Sequence, residues 1–488
     1  MLRTGVPNLD RILGGGIPEG DVVLITGPAG AGKTTLALEI CFHAVAAGKR
    51  AVYVSTLAEP PPRLLRHIRS FSFYDEARIG AELRVLDIYP IVKEGVEPTI
   101  DAIVAAVREH SPTVLVVDGI DTIRDLHAGQ ATIRYLVYEL AVALSGAECT
   151  TLFTSSVRPD HGAPSLPELT MSDTLVVLGL ENVDGHAART LELRKVRGQA
   201  ALLGRHGFGI DRDGVRVHPR IESIVQPSGA GLSKVRRPFG LPELDAMLSG
   251  GLVCGSSTVV AGPPGTGKTT LGLQFVLEGA RRAERGLVFT FREPPELLVD
   301  KMRAFGLDLE SPCKQGWLTL RQRTPIDASA DELLDDLVRE LDSAAPDRLL
   351  IDNIGEIEHA EVDQRRRRAM LVSLTELLRS RDITAVLTRG ISQRAGSEME
   401  LSETPLTALG ENVILLRDAS IRGELLRIVS VLEMRDAPHD RTIRRYEIDR
   451  HGLKVLSSVE SVENVTGRVA RLASEICGDR SAELQAER

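Results

Sequence analysis

The feature that most constrains the fold of this 488-residue chain is an internal duplication. Residues 7–35 recur at 242–270 with the same order of a Pro-x-Leu-Asp segment, paired glycines and a glycine-rich loop. Lys33 and Lys268 are separated by 235 residues, and the same offset aligns the other matched positions without a gap. A repeat of this length at one fixed offset indicates two copies of one domain in tandem.

Each half of the chain continues with short apolar runs that alternate with helical patterns. The matched runs lie at 22–26, 51–55 and 114–118 in the first half, and at 257–261, 287–291 and 349–352 in the second. Such alternation predicts an α/β fold of two tandem RecA-like P-loop NTPase domains, each a mostly parallel, doubly wound sheet flanked by helices. We expect domains at 1–225 and 237–457, a small-residue linker at 226–236 and a tail at 458–488.

Both glycine-rich loops satisfy the pattern GxxxxGK[ST] between a strand and a helix, as GPAGAGKTT at 27–35 and GPPGTGKTT at 262–270. Backbone N–H groups of such a loop surround phosphates, and the following helix adds a favourable dipole for anions. The cofactors we expect are therefore ATP and Mg²⁺. The predicted nucleotide-binding residues are Gly27, Gly30, Gly32, Lys33, Thr34 and Thr35, with Gly262, Gly265, Gly267, Lys268, Thr269 and Thr270.

Four oxygen-bearing side chains are predicted to hold the metal. Each loop lysine is expected to reach the β- and γ-phosphates, and the next residue, Thr34 or Thr269, offers a hydroxyl to Mg²⁺. Asp118 and Asp352 end matched apolar runs. We expect these two acids to hold Mg²⁺ through its water shell, as Walker B acids do.

Hydrolysis also requires a group that orients or deprotonates the attacking water. A Glu-Pro pair follows the second strand in both halves, which puts Glu59 and Glu293 beside the phosphates. An isolated Glu-Pro pair is commonly a surface turn, but matched placement in both halves favours a catalytic interpretation. Glu59 and Glu293 are the predicted catalytic carboxylates.

Composition argues against several classes of protein. The net charge is −9, whereas a protein that holds duplex DNA usually carries a basic face, although a ring can hide a basic lining. The five cysteines are scattered and fit neither a disulfide framework nor a zinc site. The opening residues lack the apolar core expected of a signal peptide, and no apolar run of about 18 residues predicts a membrane span. We expect a cytoplasmic protein without membrane contact.

The order of these features resembles the KaiC family of RecA-like ATPases over nearly the whole chain. The resemblance rests on the opening segment, the GPxGxGKTT loops, the Glu-Pro turn, the segment at 189–198 with its Lys-x-Arg-Gly end, and residues 463–471. It implies a homohexamer of two stacked rings with ATP between neighbouring subunits. In such rings the Lys-x-Arg pair reaches the γ-phosphate of the next subunit, which assigns catalytic roles to Lys195 and Arg197. The tail is a possible docking segment for protein partners.

Departures from the family pattern predict altered hydrolysis. The family carries two adjacent glutamates after the second strand, and Ala58 and Arg292 stand where the first of them belongs. In the second domain Glu433 replaces the lysine of the Lys-x-Arg pair and leaves Arg435 as the one matching cation. Our hypothesis is that the first domain is the better ATPase, while the second mainly binds nucleotide and holds the ring.

A further departure concerns self-phosphorylation. Some members of the family phosphorylate a Ser-Thr pair in their second domain, and the matching stretch here has Thr407 followed by Ala408. Thr407 could accept a phosphate, but Ala408 cannot. The resemblance therefore implies a regulatory or signalling ATPase in which autokinase activity is degenerate.

Two alternative functions remain open at the level of sequence. One is a DNA-dependent motor of the RecA or DnaB type, although the loops at 158–164 and 394–400 lack the repeated basic and aromatic residues of a single-strand groove. The arginine run at 365–368 could bind nucleic acid, but such a run is more often the solvated face of a helix. The other is a nucleotide-gated scaffold that binds ATP and hardly hydrolyses it.

Overall fold

The computed structural model of the chain describes residues 1–56, 61–127, 130–144, 148–157, 167–183, 186–225, 235–391, 410–421, 424–435 and 437–458. The chain divides into two compact units, Met1–Ile224 and Val225–Arg488. Within the described residues, none of the helices has both the length and the apolar character that crossing a bilayer requires.

The first unit contains a nine-stranded sheet with helices on its faces. Its strands are β1 (Val22–Thr26), β2 (Ala51–Ser55), β3 (Leu83–Asp87), β4 (Val114–Asp118), β5 (Thr150–Ser155), β6 (Thr174–Val183), β7 (His186–Val196), β8 (Gly204–Asp211) and β9 (Gly214–His218). Its helices are α1 (Leu9–Ile12), α2 (Lys33–Ala46), α3 (Pro61–Ile68), α4 (Tyr89–Val92), α5 (Val96–His110), α6 (Ile120–Leu126), α7 (Gln130–Leu144), α8 (Pro167–Met171) and α9 (Ile221–Ile224).

The sheet of the first unit has the strand order β3-β2-β4-β5-β1-β6-β7-β8-β9. All pairings from β3 to β6 are parallel, and those from β6 to β9 are antiparallel. The central strands β2 and β4 are buried along their whole length, because helices cover both faces of a parallel sheet. Short loops join the antiparallel strands, since such neighbours need no crossover helix.

The second unit repeats this architecture. Its strands are β10 (Arg236–Arg237), β11 (Leu252–Val253), β12 (Ser257–Gly262), β13 (Gly286–Thr290), β14 (Leu318–Gln322), β15 (Arg348–Asp352), β16 (Thr384–Gly390), β17 (Asn412–Ile421), β18 (Glu424–Met434), β19 (Arg444–Asp449) and β20 (Gly452–Ser458). Its helices are α10 (Pro242–Met247), α11 (Lys268–Arg281), α12 (Pro295–Ala304), α13 (Glu310–Lys314), α14 (Ala330–Ala344), α15 (Gly355–His359) and α16 (Gln364–Ser380).

The sheet order of the second unit, β14-β13-β15-β16-β12-β17-β18-β19-β20, matches that of the first strand for strand. The predicted fold class, two tandem and mostly parallel RecA-like sheets, is therefore confirmed. In each unit the glycine loop follows the strand β1 or β12, and the acid Asp118 or Asp352 ends the strand β4 or β15. The carboxyl ends of parallel strands share one edge of a sheet, so the loop and the acid meet there.

Candidate functional site

The two glycine loops have a backbone that only glycine allows at certain positions. Gly27 has a φ of 155°, and a Cβ atom there would lie 2.4 Å from the carbonyl oxygen of Leu178 on β6. A Cβ atom on Gly262 would lie 2.3 Å from the carbonyl oxygen of Leu416 on β17. Both loops are thus pressed against the neighbouring strand, and a side chain at either glycine would force the loop away from it.

Each loop lysine folds over its own loop. Lys33 Nζ donates to the carbonyl oxygens of Gly27 at 2.7 Å and Pro28 at 3.0 Å. Lys268 Nζ makes the equivalent bonds to Gly262 and Pro263, at 2.8 and 2.7 Å. Burial lowers the pKa of both lysines, while the nearby Walker B carboxylates oppose this change. A partly desolvated ammonium at the mouth of an anion-binding loop gains most from a phosphate group.

In the first unit the loop threonine is in contact with the Walker B acid. Thr34 Oγ1 donates to Asp118 Oδ2 at 3.0 Å. The hydroxyl of Tyr53 on β2 donates to the same oxygen, and the hydroxyl of Thr154 on β5 donates to Oδ1. The Asp118 residue is only 3% exposed, and these donors compensate for its burial. Burial, together with Asp118, raises the pKa of Tyr53 well above its usual range, so the phenol stays protonated and donates.

Among the described residues, the acid of the second unit has fewer donors around it than the acid of the first. Thr388 on β16 donates its hydroxyl to Asp352 Oδ1, as Thr154 does in the first unit. Val288 occupies the place of Tyr53, because it pairs with Leu350 two residues before Asp352. The second acid therefore keeps the threonine contact and lacks the phenol.

A cavity of about 600 Å³ lies over the second glycine loop. Its lining includes Gly265, Gly267, Lys268, Thr269, Thr270, Thr290, Arg292, Glu293, Lys301, Phe305, Asp352, Asn353, Gly390, Arg427 and Ile448. Apart from Gly262, the loop residues, the acid and the Glu-Pro glutamate predicted for this site thus line one cavity. Its first-half counterpart, Glu59, lies outside the described residues, as does Ala58.

The Glu-Pro glutamate of the second unit has a cationic neighbour. Lys301 Nζ on α12 donates to Glu293 Oε1 at 3.1 Å and to Oε2 at 3.2 Å. Arg292, which precedes it and also lines the cavity, pairs with Glu356 on α15, with Nε 2.7 Å from Oε1. Glu293 is therefore held at the cavity by Lys301, while Arg292 forms an ion pair with Glu356 and offers no base.

Sequence analysis missed a pair of matched arginines beside the loops. Arg427 on β18 lines the second cavity, and its Nε lies 4.0 Å from Asp418 Oδ1. Arg189 on β7 pairs with Leu180 on β6. Leu180 lies two residues beyond Leu178, whose carbonyl oxygen lies against Gly27. Arg189 Nε is buried without a hydrogen-bond partner in the part of the chain that the structure describes. The sequence does contain a pattern that relates the two arginines. Arg189 precedes Lys195 by six residues, and Arg427 precedes the matching Glu433 by six residues.

The cations assigned to a neighbouring subunit lie far from the loop of their own unit. The end of β7 runs antiparallel to β6, so Lys195 pairs with Leu175 near the amino end of β6, and Arg197 N donates to the Asp173 carbonyl. That end of the sheet is opposite the glycine loop, which follows the carboxyl end of β1. Lys195 Nζ donates to the carbonyls of Thr170, at 3.1 Å, and Ser172.

We call the cations assigned to a neighbouring subunit the finger residues. The other two of them, Arg197 and Arg435, also have intrachain partners. Arg197 Nη1 donates to Asp173 Oδ1 at 2.9 Å, and burial followed by the Arg197 charge lowers the pKa of Lys195. In the second unit Arg435 Nε lies 3.7 Å from Glu433 Oε1. None of these contacts involves the glycine loop of the same unit.

The donor set fits ATP with Mg²⁺. The glycine loops and folded lysines suit phosphate oxygens, and a hydroxyl beside a carboxylate suits a hard cation that keeps part of its water shell. Thr34 and Asp118 already bring these two groups within hydrogen-bond distance. Thr269 and Asp352 line one cavity in the second unit.

Comparison with known proteins identifies the family. The family model described as the KaiC ATPase matches residues 2–222 and 237–460. The circadian clock oscillator protein KaiC of Parathermosynechococcus lividus is 28% identical over 475 residues, 95% of this chain and 86% of that protein. The circadian clock protein KaiC3 of Synechocystis sp. is 27% identical over 485 residues, 96% of this chain and 94% of that protein. The chain, with its two matched glycine loops and acids, belongs to the KaiC ATPase family.

Proposed function

We propose that this chain is a regulatory Mg²⁺-dependent ATPase that binds ATP at both glycine loops and hydrolyses it chiefly at the first. The observation that carries the proposal is the hydrogen bond from Thr34 to Asp118 directly beside the first loop. A hydroxyl and a carboxylate at the end of a phosphate loop form the pair that P-loop ATPases use for the metal. The regulatory role is supported by relatives that are named as circadian clock proteins.

Each group at the loop has an assigned part in this proposal. The loop N–H groups and Lys33 or Lys268 bind the β- and γ-phosphates and offset their charge. Thr34 with Asp118, and Thr269 with Asp352, would hold Mg²⁺. When bound, Mg²⁺ neutralises charge on the β- and γ-phosphates during phosphoryl transfer.

Water activation at the second loop falls to Glu293 in this proposal. Lys301 holds its side chain at the cavity, and a carboxylate there can accept a proton from water. Arg427 is proposed to contact the phosphate end, which its position in the cavity lining supports. Glu59 is proposed to act at the first loop by analogy with its matched position.

Self-association is the second part of the proposal. Lys195 and Arg197 lie at the edge of the sheet opposite their own loop, so they are placed to serve a nucleotide other than the one at that loop. We propose a homohexamer of two stacked rings in which these cations reach the neighbour's γ-phosphate. Glu433 stands where the second ring needs a lysine, and Arg435 lies close to that glutamate. The first ring is therefore the proposed site of most turnover.

Autokinase activity is proposed to be degenerate. Arg292 stands at the position of the first glutamate and is engaged with Glu356, so it supplies no base. Thr407 and Ala408 lie outside the described residues, and the proposal for them rests on the sequence alone. The proposed compartment is the cytoplasm, which the free thiols of the described cysteines support. The tail remains a proposed docking segment for protein partners.

The function is tested by incubating the purified chain with γ-labelled ATP and Mg²⁺ while free and protein-bound phosphate are both followed. We expect free phosphate to accumulate with no stoichiometric label on the protein. The Lys33→Ala/Lys268→Ala double variant is the control for a contaminating ATPase. Label on the protein that disappears in Thr407→Ala would overturn the view that kinase activity is degenerate. Tight ATP retention with neither signal would instead favour the nucleotide-gated scaffold.

A DNA-dependent motor makes a different prediction. In the arginine run, Arg366 Nη1 donates to Glu361 Oε2 at 2.6 Å, and Arg367 Nη2 donates to the Glu361 carbonyl at 2.7 Å. These cations are engaged within the chain, which supports the interpretation as a helix face. We expect no salt-dependent retention of single- or double-stranded DNA and no stimulation of turnover by it. Retention at low salt that Arg365→Ala/Arg368→Ala removes would favour the motor.

A further inference from the structure

The two nucleotide sites each contain a buried tyrosine hydroxyl, but at different places. In the first unit the Tyr53 hydroxyl donates to Asp118, and in the second the Tyr446 hydroxyl donates to the loop carbonyl of Thr266 at 2.6 Å. Val288 replaces Tyr53 in the second unit, as the strand pairing requires.

Conversely, the first unit has a phenylalanine at the position of Tyr446. Ile210 packs against Gly32 as Ile448 packs against Gly267. A Cβ atom added to either glycine would lie 2.5 Å from the Cδ1 atom of its isoleucine, which is too close for van der Waals contact. Phe208 and Tyr446 precede these isoleucines by two residues, so they are equivalent positions. The first site thus has a tyrosine hydroxyl on Asp118, whereas the second has a tyrosine hydroxyl on its phosphate loop.

We propose that Tyr53 is a positioning residue for Mg²⁺ at the first site, holding Asp118, and through it Thr34, in the orientation that receives Mg²⁺ with ATP. This inference rests on the proposed binding of ATP with Mg²⁺ at that site. Tyr53 does not touch the nucleotide, since its residue is fully buried in the strand layer.

The hydrogen-bond count on Asp118 explains how the phenol acts. A carboxylate offers about four lone-pair sites, two on each oxygen. Thr34 and Tyr53 fill both sites on Oδ2, and Thr154 fills one on Oδ1. Among the described residues no further donor reaches Oδ1, so this carboxylate keeps acceptor capacity that a Mg²⁺ ion or its water could use. Tyr53 therefore restrains the orientation of the carboxylate that would hold Mg²⁺.

The described residues of the second site provide no tyrosine hydroxyl to the acid. Asp352 is contacted by Thr388 at Oδ1, and Val288 offers no hydroxyl to Oδ2. Its tyrosine, Tyr446, holds the loop backbone instead of the acid. The dependence on Mg²⁺ is therefore the property in which the two sites differ, while binding of the phosphates by the loop is common to both.

The test uses the full chain carrying Lys268→Ala, so that labelled ATP reports on the first loop. Binding of fluorescent ATP is measured by anisotropy while Mg²⁺ is raised from zero in the presence of EDTA to saturation. Tyr53→Phe is expected to raise the half-saturating Mg²⁺ concentration about tenfold, the usual cost of removing a partner of a metal-site group. The affinity for ATP without Mg²⁺ is expected to stay the same. Since phenylalanine fills the same volume, the fold is retained, and a melting curve checks this.

Tyr138→Phe is the matched control, because it removes a hydroxyl from the same unit at a residue that is 57% exposed on α7. It is expected to leave the Mg²⁺ profile unchanged. An unchanged profile in Tyr53→Phe, or an equal loss of ATP affinity with and without Mg²⁺, would overturn the inference and leave the proposed function intact. If the Lys268→Ala chain binds no ATP under any condition, the proposed function fails and the inference with it.

Discussion

Replacing Lys33 by alanine is expected to lower the steady-state ATP turnover of the chain about a hundredfold, the usual cost of removing one preorganised group from a developing charge. Lys268→Ala is expected to leave more than half of the turnover. The reason is the difference between the two units in their finger residues, since the first has Lys195 with Arg197 whereas the second has Glu433. A carboxylate near a neighbour's γ-phosphate repels it and cannot stabilise the transferring group.

The measurement is phosphate release at saturating ATP and Mg²⁺ by the wild-type chain and each variant at equal concentration. Lys49→Ala is the matched control, because Lys49 is in the same unit and forms a surface pair with Glu19 at 3.1 Å. It is expected to behave as the wild type, since exposed pairs contribute about 0–1 kcal/mol to stability. Unchanged turnover in Lys33→Ala together with lost turnover in Lys268→Ala would assign hydrolysis to the second unit.

The buried strands of the fold were predictable because they appear in the sequence as short apolar runs. All five residues of β4 are buried, and a strand with both faces covered appears as an unbroken apolar run. The edge strands β3 and β14 were not recognised. Arg84 and Asp87 interrupt the apolar residues of β3, whose outer positions are half-buried or exposed because only one neighbour covers them.

The glycine loops were predictable for a similar reason, since the sequence of the loop itself determines its contacts with phosphate. Tyr53 was not predictable, because its partner Asp118 is 65 residues away and the contact depends on β2 lying beside β4. Arg427 and Lys301 line the second cavity from β18 and α12, and local sequence gives no reason to join them. Residues of a site that come from distant elements become apparent only when the sheet order is known.

The Lys195→Ala/Arg197→Ala variant is expected to lose at least about a hundredfold in turnover while its affinity for ATP stays within a few fold, because a finger acts mainly on the transition state. Both cations lie at the edge of the sheet opposite their own loop, so we expect them to act on a nucleotide bound by a neighbouring copy. Arg194→Ala is the matched control on the same strand, where Arg194 forms an ion pair with Glu192 at 3.1 Å. It is expected to retain wild-type turnover.

Mixing two inactive variants distinguishes action between subunits from action within one. Lys33→Ala subunits keep the finger and lack the loop lysine, whereas Lys195→Ala/Arg197→Ala subunits keep the loop and lack the finger. If the finger serves a neighbour, mixed oligomers contain sites with an intact loop facing an intact finger, and turnover is expected to recover in proportion to such pairs. If mixed oligomers form, as differently tagged subunits would reveal, and turnover does not recover, the cations do not act on the neighbouring nucleotide. That result would also remove the physical reason for linking hydrolysis to assembly, since each unit would then have to complete its site from its own chain.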